Sequence, residues 1–133
     1  MASGTEQFVK VLLVGAGGFI GAVCRYLAAT AVNSTLKDAW IPYGTLAVNV
    51  LGCFLIGLLE GIAQDRGILS PETRLLVVVG ILGGFTTFST FGLESYNLLR
   101  ANQPAAAIGY IALHLVAGLG AVYLGMLAAR LGQ

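Results

Sequence analysis

The residues best placed to do chemistry lie in one run, Gly83-Gly84-Phe85-Thr86-Thr87-Phe88-Ser89-Thr90-Phe91-Gly92. Hydroxyl donors of this kind can replace the water shell of a small, strongly hydrated anion. Phenyl rings carry a positive edge, so Phe88 and Phe91, three residues apart on one helical face, can meet an anion edge-on. Glu94 continues that stripe. The same run, if unwound, offers main-chain carbonyls, which suit a cation. No Ser/His/Asp or Cys/His arrangement points to covalent catalysis, so the chain is not expected to be an enzyme.

The run sits near the middle of an apolar segment from Leu75 to Leu99. As a helix that segment spans about 37 Å, against a hydrocarbon core of about 30 Å, which places the run near a bilayer midplane. Paired glycines followed by hydroxyl and β-branched residues are poor helix formers. A helix broken at that depth is tolerated only where the freed backbone lines a cavity, an ion site or a protein contact. The plain alternative is a glycine kink that packs against a neighbour.

The elements that must position this run are membrane helices. The chain has 133 residues, 57% hydrophobic and 10% charged, with mean hydropathy +0.87; soluble domains carry about 25% charged residues. The expectation is an all-α membrane protein, a single domain over residues 1–133, with four transmembrane helices at about 8–32, 43–63, 75–99 and 104–129, the third broken at the midplane. A net charge of +1 gives no basic surface for nucleic acid. Cys24 and Cys53 lack metal-ligand spacing and read as small buried thiols. The N-terminus does not read as a cleavable signal, because the first apolar run lacks a basic flank. Val11 to Gly21 imitates a dinucleotide-binding turn, with Asp38 at a suitable distance, but no strand–helix alternation surrounds it.

In the first span Gly17, Gly21 and Arg25 recur every four residues and share a face. Small residues so spaced let helix backbones approach closely in lipid. Arg25 either snorkels to the headgroups or sets a positive charge at the mouth of an anion path. Asn33 to Ile41 reads as a polar connection, with Trp40 and Tyr43 as interfacial aromatics. In the second span Thr45, Asn49 and Gly52 share a face, and Glu60 lies near the end, where water can reach it. Ser70-Pro71-Glu72 reads as a helix cap, a first-turn proline and a first-turn acid. In the fourth span, opened by Pro104, Tyr110, His114 and Gly118 share a face. A histidine in a span is either hydrogen-bonded and quiet or functional.

Four spans put both termini on one side, with Lys10, Arg66, Arg74 and Arg130 against Lys37, Arg100 and, if it snorkels, Arg25. So small a difference gives little positive-inside bias and predicts a chain that inserts both ways and pairs antiparallel with its own copy.

Three stretches carry a family resemblance: Gly83 to Phe91, Pro42-Tyr-Gly-Thr-Leu-Ala-Val-Asn49, and Gly17-Gly-Phe-Ile-Gly-Ala-Val-Cys-Arg25-Tyr. Together they resemble the Fluc (CrcB) family of bacterial fluoride channels over roughly Val11 to Gly125. That resemblance implies a passive, fluoride-selective channel of the bacterial inner membrane that exports cytoplasmic fluoride and gives fluoride resistance. It implies an antiparallel, dual-topology homodimer with two pores. It also implies a central structural sodium ion on the main-chain carbonyls of Gly83 and Thr86, with Thr45 nearby. Asn49, Phe88, Phe91 and Tyr110 match pore residues; Ser89, Thr90 and Glu94 belong to the polar wall, and Arg25 to the vestibule. His114, Gly118 and Val122 stand where relatives often carry hydroxyl residues, and Gly92 where they often carry serine. His114 is included in the pore as a donor or a group that titrates near neutral pH. Two rivals remain. A small proton-coupled multidrug exporter needs a carboxylate within the first span, where this chain has none. A non-transporting membrane subunit leaves the run from Gly83 to Phe91 without a task.

Overall fold

The computed structural model describes residues 4–37, 39–66 and 69–131. Asp38, on which the dinucleotide alternative turned, lies outside them. Helix α1 runs Gly4–Thr35 and α2 runs Tyr43–Arg66. The third span, Pro71–Arg100, is composite. It opens as α3 (Pro71–Arg74), continues through a π-helical segment (Leu75–Leu82) and the short α4 (Gly83–Phe85), and resumes as α5 (Phe88–Arg100). Helix α6 is Pro104–Leu131. Four helices are long and apolar enough to cross a membrane.

Local chemistry sets the ends. The Ser70 hydroxyl accepts from the Thr73 amide at 3.2 Å, with Pro71 in the first turn and Glu72 behind it. This satisfies one of the amides that a helix start leaves bare. At the other end of the third span Asn102 adopts φ 55°. That left-handed residue lets the Gln103 amide return to the Leu98 carbonyl and ends α5 before Pro104 opens α6. Helix α1 runs past the expected start of its connection. Asn33 therefore lies within the helix, and its side-chain oxygen accepts from the Gly44 amide at 2.9 Å, tying α1 to the first turn of α2.

Glycines build two close seams. Between α1 and the third span, a Cβ on Gly17 would overlap the Leu76 carbonyl and lie 2.8 Å from the Gly80 Cα, and one on Gly21 would overlap the Ile81 carbonyl. Between α2 and α6, a Cβ on Gly57 would overlap the Val122 carbonyl and one on Gly125 the Phe54 carbonyl. In lipid, where apolar side chains gain nothing by leaving the solvent, such backbone contact is what holds helices together. The α2–α6 pair is the most extensive and α1 with the π-segment the next. Arg74 and Glu60 pair at 2.7 Å, so Glu60 is tied to α3 rather than merely hydrated.

The interior is small: Ile41, Leu46 and Tyr110, flanked by Tyr43, Val50, Phe91, Leu98 and Ala106. Phe19, Val116, Leu119 and many other apolar side chains lie on the outside, as a bilayer requires. Cys24 is on that exposed surface and Cys53 is half-buried, so the expectation of two buried thiols is corrected. A span that is apolar all round gives no pattern from which to read the facing of one small thiol.

Candidate ion pathway

The third span opens at two residues. Thr86 has φ −88°, ψ 157° and Thr87 φ −150°, ψ 111°, both extended, between α4 and α5. Asn49 of α2 holds this link by both edges of its amide. Its Oδ1 accepts from the Thr87 amide at 2.8 Å, and its Nδ2 donates to the Thr87 carbonyl at 3.1 Å. The Thr87 hydroxyl then caps α5, accepting from the Thr90 amide at 3.2 Å and donating to the Thr90 hydroxyl at 2.9 Å. Below the link the Thr86 amide and hydroxyl both return to the Leu82 carbonyl.

These bonds redistribute the helix's polar groups. In an unbroken α-helix the Thr87 amide would donate to the Gly83 carbonyl and the Thr90 amide to the Thr86 carbonyl. Here the first donor goes to Asn49 and the second to the Thr87 side chain. The Gly83 and Thr86 carbonyls lose their helical donors, and the Thr87 and Thr90 amides find side-chain acceptors instead.

Two cavities meet at Thr87. One, of about 360 Å³, is lined by Asn49, Cys53, Gly83, Thr86, Thr87, Phe88, Phe91, His114 and Gly118. The other, of about 280 Å³, is lined by Arg25, Tyr26, Thr30, Asn33, Thr45, Thr87 and Thr90. Arg25 does not reach for a membrane surface; its Nε donates to the Gly84 carbonyl at 3.1 Å. Phe88 is 83% exposed in mid-span. Its ring centroid lies 5.5 Å from that of Phe91, which lies 4.4 Å from the His114 ring.

Behind Phe91 is a fully satisfied polar group. Glu94 accepts from the Thr45 hydroxyl at 2.9 Å and from the Tyr110 hydroxyl at 2.6 Å. Tyr110 is 0% exposed, with its ring 5.7 Å from Phe91 and 4.4 Å, edge-on, from His114.

The structure thus gathers Asn49, Gly83, Thr86, Phe88, Phe91 and His114 on one cavity, and Arg25, Thr45 and Thr90 on the other. Glu94 and Tyr110 form neither wall and stand one layer back, bound to each other. Ser89 is exposed and lines neither cavity; its hydroxyl lies 3.3 Å from that of Thr87. Thr45 lies on the Arg25 side rather than with the Gly83 and Thr86 carbonyls. The residue that sequence reasoning left without a role is Thr87. Its signal was present, since a threonine three residues before Thr90 at the start of a helical stretch is an N-cap pattern.

A four-span membrane helix bundle with a polar node buried in its third span is the class that this fold and site define. The family model described as "CrcB-like protein, Camphor Resistance (CrcB)" matches residues 12–126, and the chain belongs to that family. A protein of Chlorobaculum tepidum named "Fluoride-specific ion channel FluC" is 48% identical over 124 residues, covering 93% of this chain and 97% of that protein. Proteins of the same name from Chlorobium phaeobacteroides (42% over 126 residues, 95% and 97%) and Caulobacter vibrioides (43% over 122 residues, 91% and 95%) are similar at nearly full length. The chain is a multi-pass membrane protein.

Proposed function

We propose that the protein is a passive, fluoride-selective channel of the bacterial inner membrane that releases cytoplasmic fluoride and so gives fluoride resistance. The observation that carries a channel reading is the large cavity: neutral hydroxyl and amide donors and two ring edges in mid-span, with no charged side chain in its lining. The name of the relatives supplies the anion. Asn49 serves both needs. One hydrogen of its NH₂ holds the Thr87 carbonyl and the second is left for an ion. Arg25 and the hydroxyls of the smaller cavity attract the anion, Thr87 joins the two cavities, and Phe88 and Phe91 accept it edge-on. Hydrogen fluoride enters a cell as a neutral acid and dissociates. A negative-inside potential, worth about 2.3 kcal/mol per charge per 100 mV, then drives the anion out. Proton coupling is not required.

The functional unit in this reading is an antiparallel, dual-topology homodimer with two pores, the third span of each subunit broken at the midplane. Phe88, exposed on the protomer, would be covered by the second copy. The Gly83 and Thr86 carbonyls would hold a structural sodium ion between the subunits. They suit it: both are hard neutral oxygens that have lost their helical donors, and a second copy would double the set. The ion would supply positive charge at the centre of the assembly and fix the open link.

The test is fluoride release from proteoliposomes, followed with a fluoride electrode, with potassium and valinomycin balancing charge. Fast fluoride release with little chloride release is expected, and its loss in Phe88→Ile/Phe91→Ile protein that still assembles as a dimer. Unchanged release in that double variant counts against the assigned route. A tag-accessibility assay that finds one fixed orientation rejects the antiparallel pairing.

A further inference from the structure

His114 is the residue whose chemistry the pathway has not yet used. Its Nδ1 lies 3.1 Å from the Tyr110 carbonyl one turn back. A carbonyl only accepts, so Nδ1 carries the hydrogen, and in the neutral ring Nε2 is a bare lone pair. Nε2 is also the one buried side-chain nitrogen or oxygen among the described residues that has no hydrogen-bond partner. The ring nonetheless belongs to the wall of the large cavity, beside Phe91 and Asn49. One turn on, Gly118 leaves that wall low: a Cβ there would have only the Cys53 sulfur, at 3.6 Å, within reach.

We propose that His114 sets a titratable charge in the cavity wall, absent from the neutral ring and present in the imidazolium, so that acidification strengthens anion binding and raises flux. The inference rests on the channel reading above. Neutral His114 brings no charge to the cavity. The imidazolium brings a full positive charge to the wall it shares with Phe88 and Phe91. The Phe91 and Tyr110 rings, each with its centroid 4.4 Å from the imidazole, fix its place in the wall; the shelter they give opposes the charged form, while the Glu94 charge supports it. The titratable groups around it are Glu94 from α5, whose charge acts on it, Tyr110 from α6, bonded to Glu94, and Cys53 from α2 across the cavity. The sign follows: imidazolium is the low-pH form, so the gain is present in acid and lost as pH rises.

The experiment is fluoride efflux from proteoliposomes at symmetric pH from 5.5 to 8, corrected for protein-free vesicles because hydrogen fluoride crosses bare lipid. Wild-type flux should rise toward acid on the order of tenfold, the effect of one unit charge in a partly hydrated cavity. His114→Gln, whose carboxamide donor does not titrate, should conduct independently of pH, and His114→Leu should conduct weakly and independently of pH. Size-exclusion chromatography confirms assembly of each variant, and the Gln variant alone suffices if the Leu variant does not assemble. A flat wild-type profile, or the same profile in His114→Gln, overturns the proposal. Absence of fluoride flux at every pH overturns the channel reading instead.

Discussion

Asn49→Ala removes both hydrogen bonds that hold Thr87 open, at 2.8 and 3.1 Å. Each such bond nets about 1 kcal/mol, and a buried partner left bare costs about 1–3 kcal/mol. Side-chain bonds between membrane helices average only about 0.6 kcal/mol, because the unclasped state finds other partners. Thr87 has one partner within reach of a small rotation, the Gly83 carbonyl of a rewound helix. The expected loss is therefore about 2–4 kcal/mol, or at least about 30-fold in the balance between clasped and unclasped link. The rewound form would also withdraw the Gly83 carbonyl and turn Phe88, so flux should fall further than stability. Asn49→Asp separates the two effects. It keeps an acceptor for the Thr87 amide but no donor for the Thr87 carbonyl, and brings a carboxyl group into the anion cavity. It should retain more stability than the alanine variant and conduct no better. Stability is read by reversible unfolding in mixed micelles with increasing dodecyl sulfate, and flux by fluoride efflux. Asn49→Ala protein within about 0.5 kcal/mol of wild type and conducting normally would refute the clasp.

Three further outcomes follow from the packing and the polar network. Gly21→Ala should destabilise the bundle by several kcal/mol (~2–4), because the new methyl overlaps the Ile81 carbonyl and sits 2.8 Å from the Phe85 amide nitrogen; Gly120→Ala, with no atom within 4 Å, should change it by no more than about 1 kcal/mol, and equal unfolding of the two variants would reject the seam. Tyr110→Phe deprives Glu94 of its 2.6 Å donor and should cost about 1–3 kcal/mol, with Thr45→Val non-additive to it in a double-mutant cycle; strict additivity would mean that the three residues are not one network. Exchange of sodium for N-methylglucamine throughout purification and reconstitution should lower both dimer stability and flux, and protein indifferent to the exchange would exclude the carbonyl ion site.

Much of this was legible before any coordinates because lipid makes polar residues informative. In a span, every hydroxyl, amide or imidazole needs a reason. Thr45, Asn49, Glu94, Tyr110 and His114 announce themselves by type alone, and their spacing puts them on the faces that meet. What type and spacing do not carry is the identity of the partner. Asn49 reads as a pore residue, but not as the clasp of one particular peptide. Glu94 looks like one more group on the polar stripe, yet its two oxygens are taken up by Thr45 and Tyr110. Arg25 has one sequence and two plausible directions; the inward one depends on the Gly84 carbonyl, which only the close α1 seam brings within 3.1 Å. The exposure of Cys24 is hidden in the sequence for the opposite reason, since apolar surroundings do not distinguish a helix interface from a lipid face.

The extended link at Thr86 and Thr87 redistributes the polar groups of the third span. Interrupting a helix ordinarily frees donors and acceptors together. Here two of the displaced amides are recaptured by side chains, that of Thr87 by Asn49 and that of Thr90 by the Thr87 hydroxyl. The Gly83 and Thr86 carbonyls are left without those donors. Carbonyls without donors in mid-span suit a cation and repel an anion. Side-chain donors for an anion are set off from those carbonyls: the second hydrogen of Asn49, the hydroxyls, the ring edges of Phe88 and Phe91 and, once protonated, His114. A cation held by the carbonyls would also cancel the repulsion that those carbonyls exert on the nearby path. One neutral amide thus performs a task that a charged residue could not. A carboxylate in place of Asn49 would hold the Thr87 amide but expel the anion, and a lysine would hold the Thr87 carbonyl but leave the Thr87 amide bare.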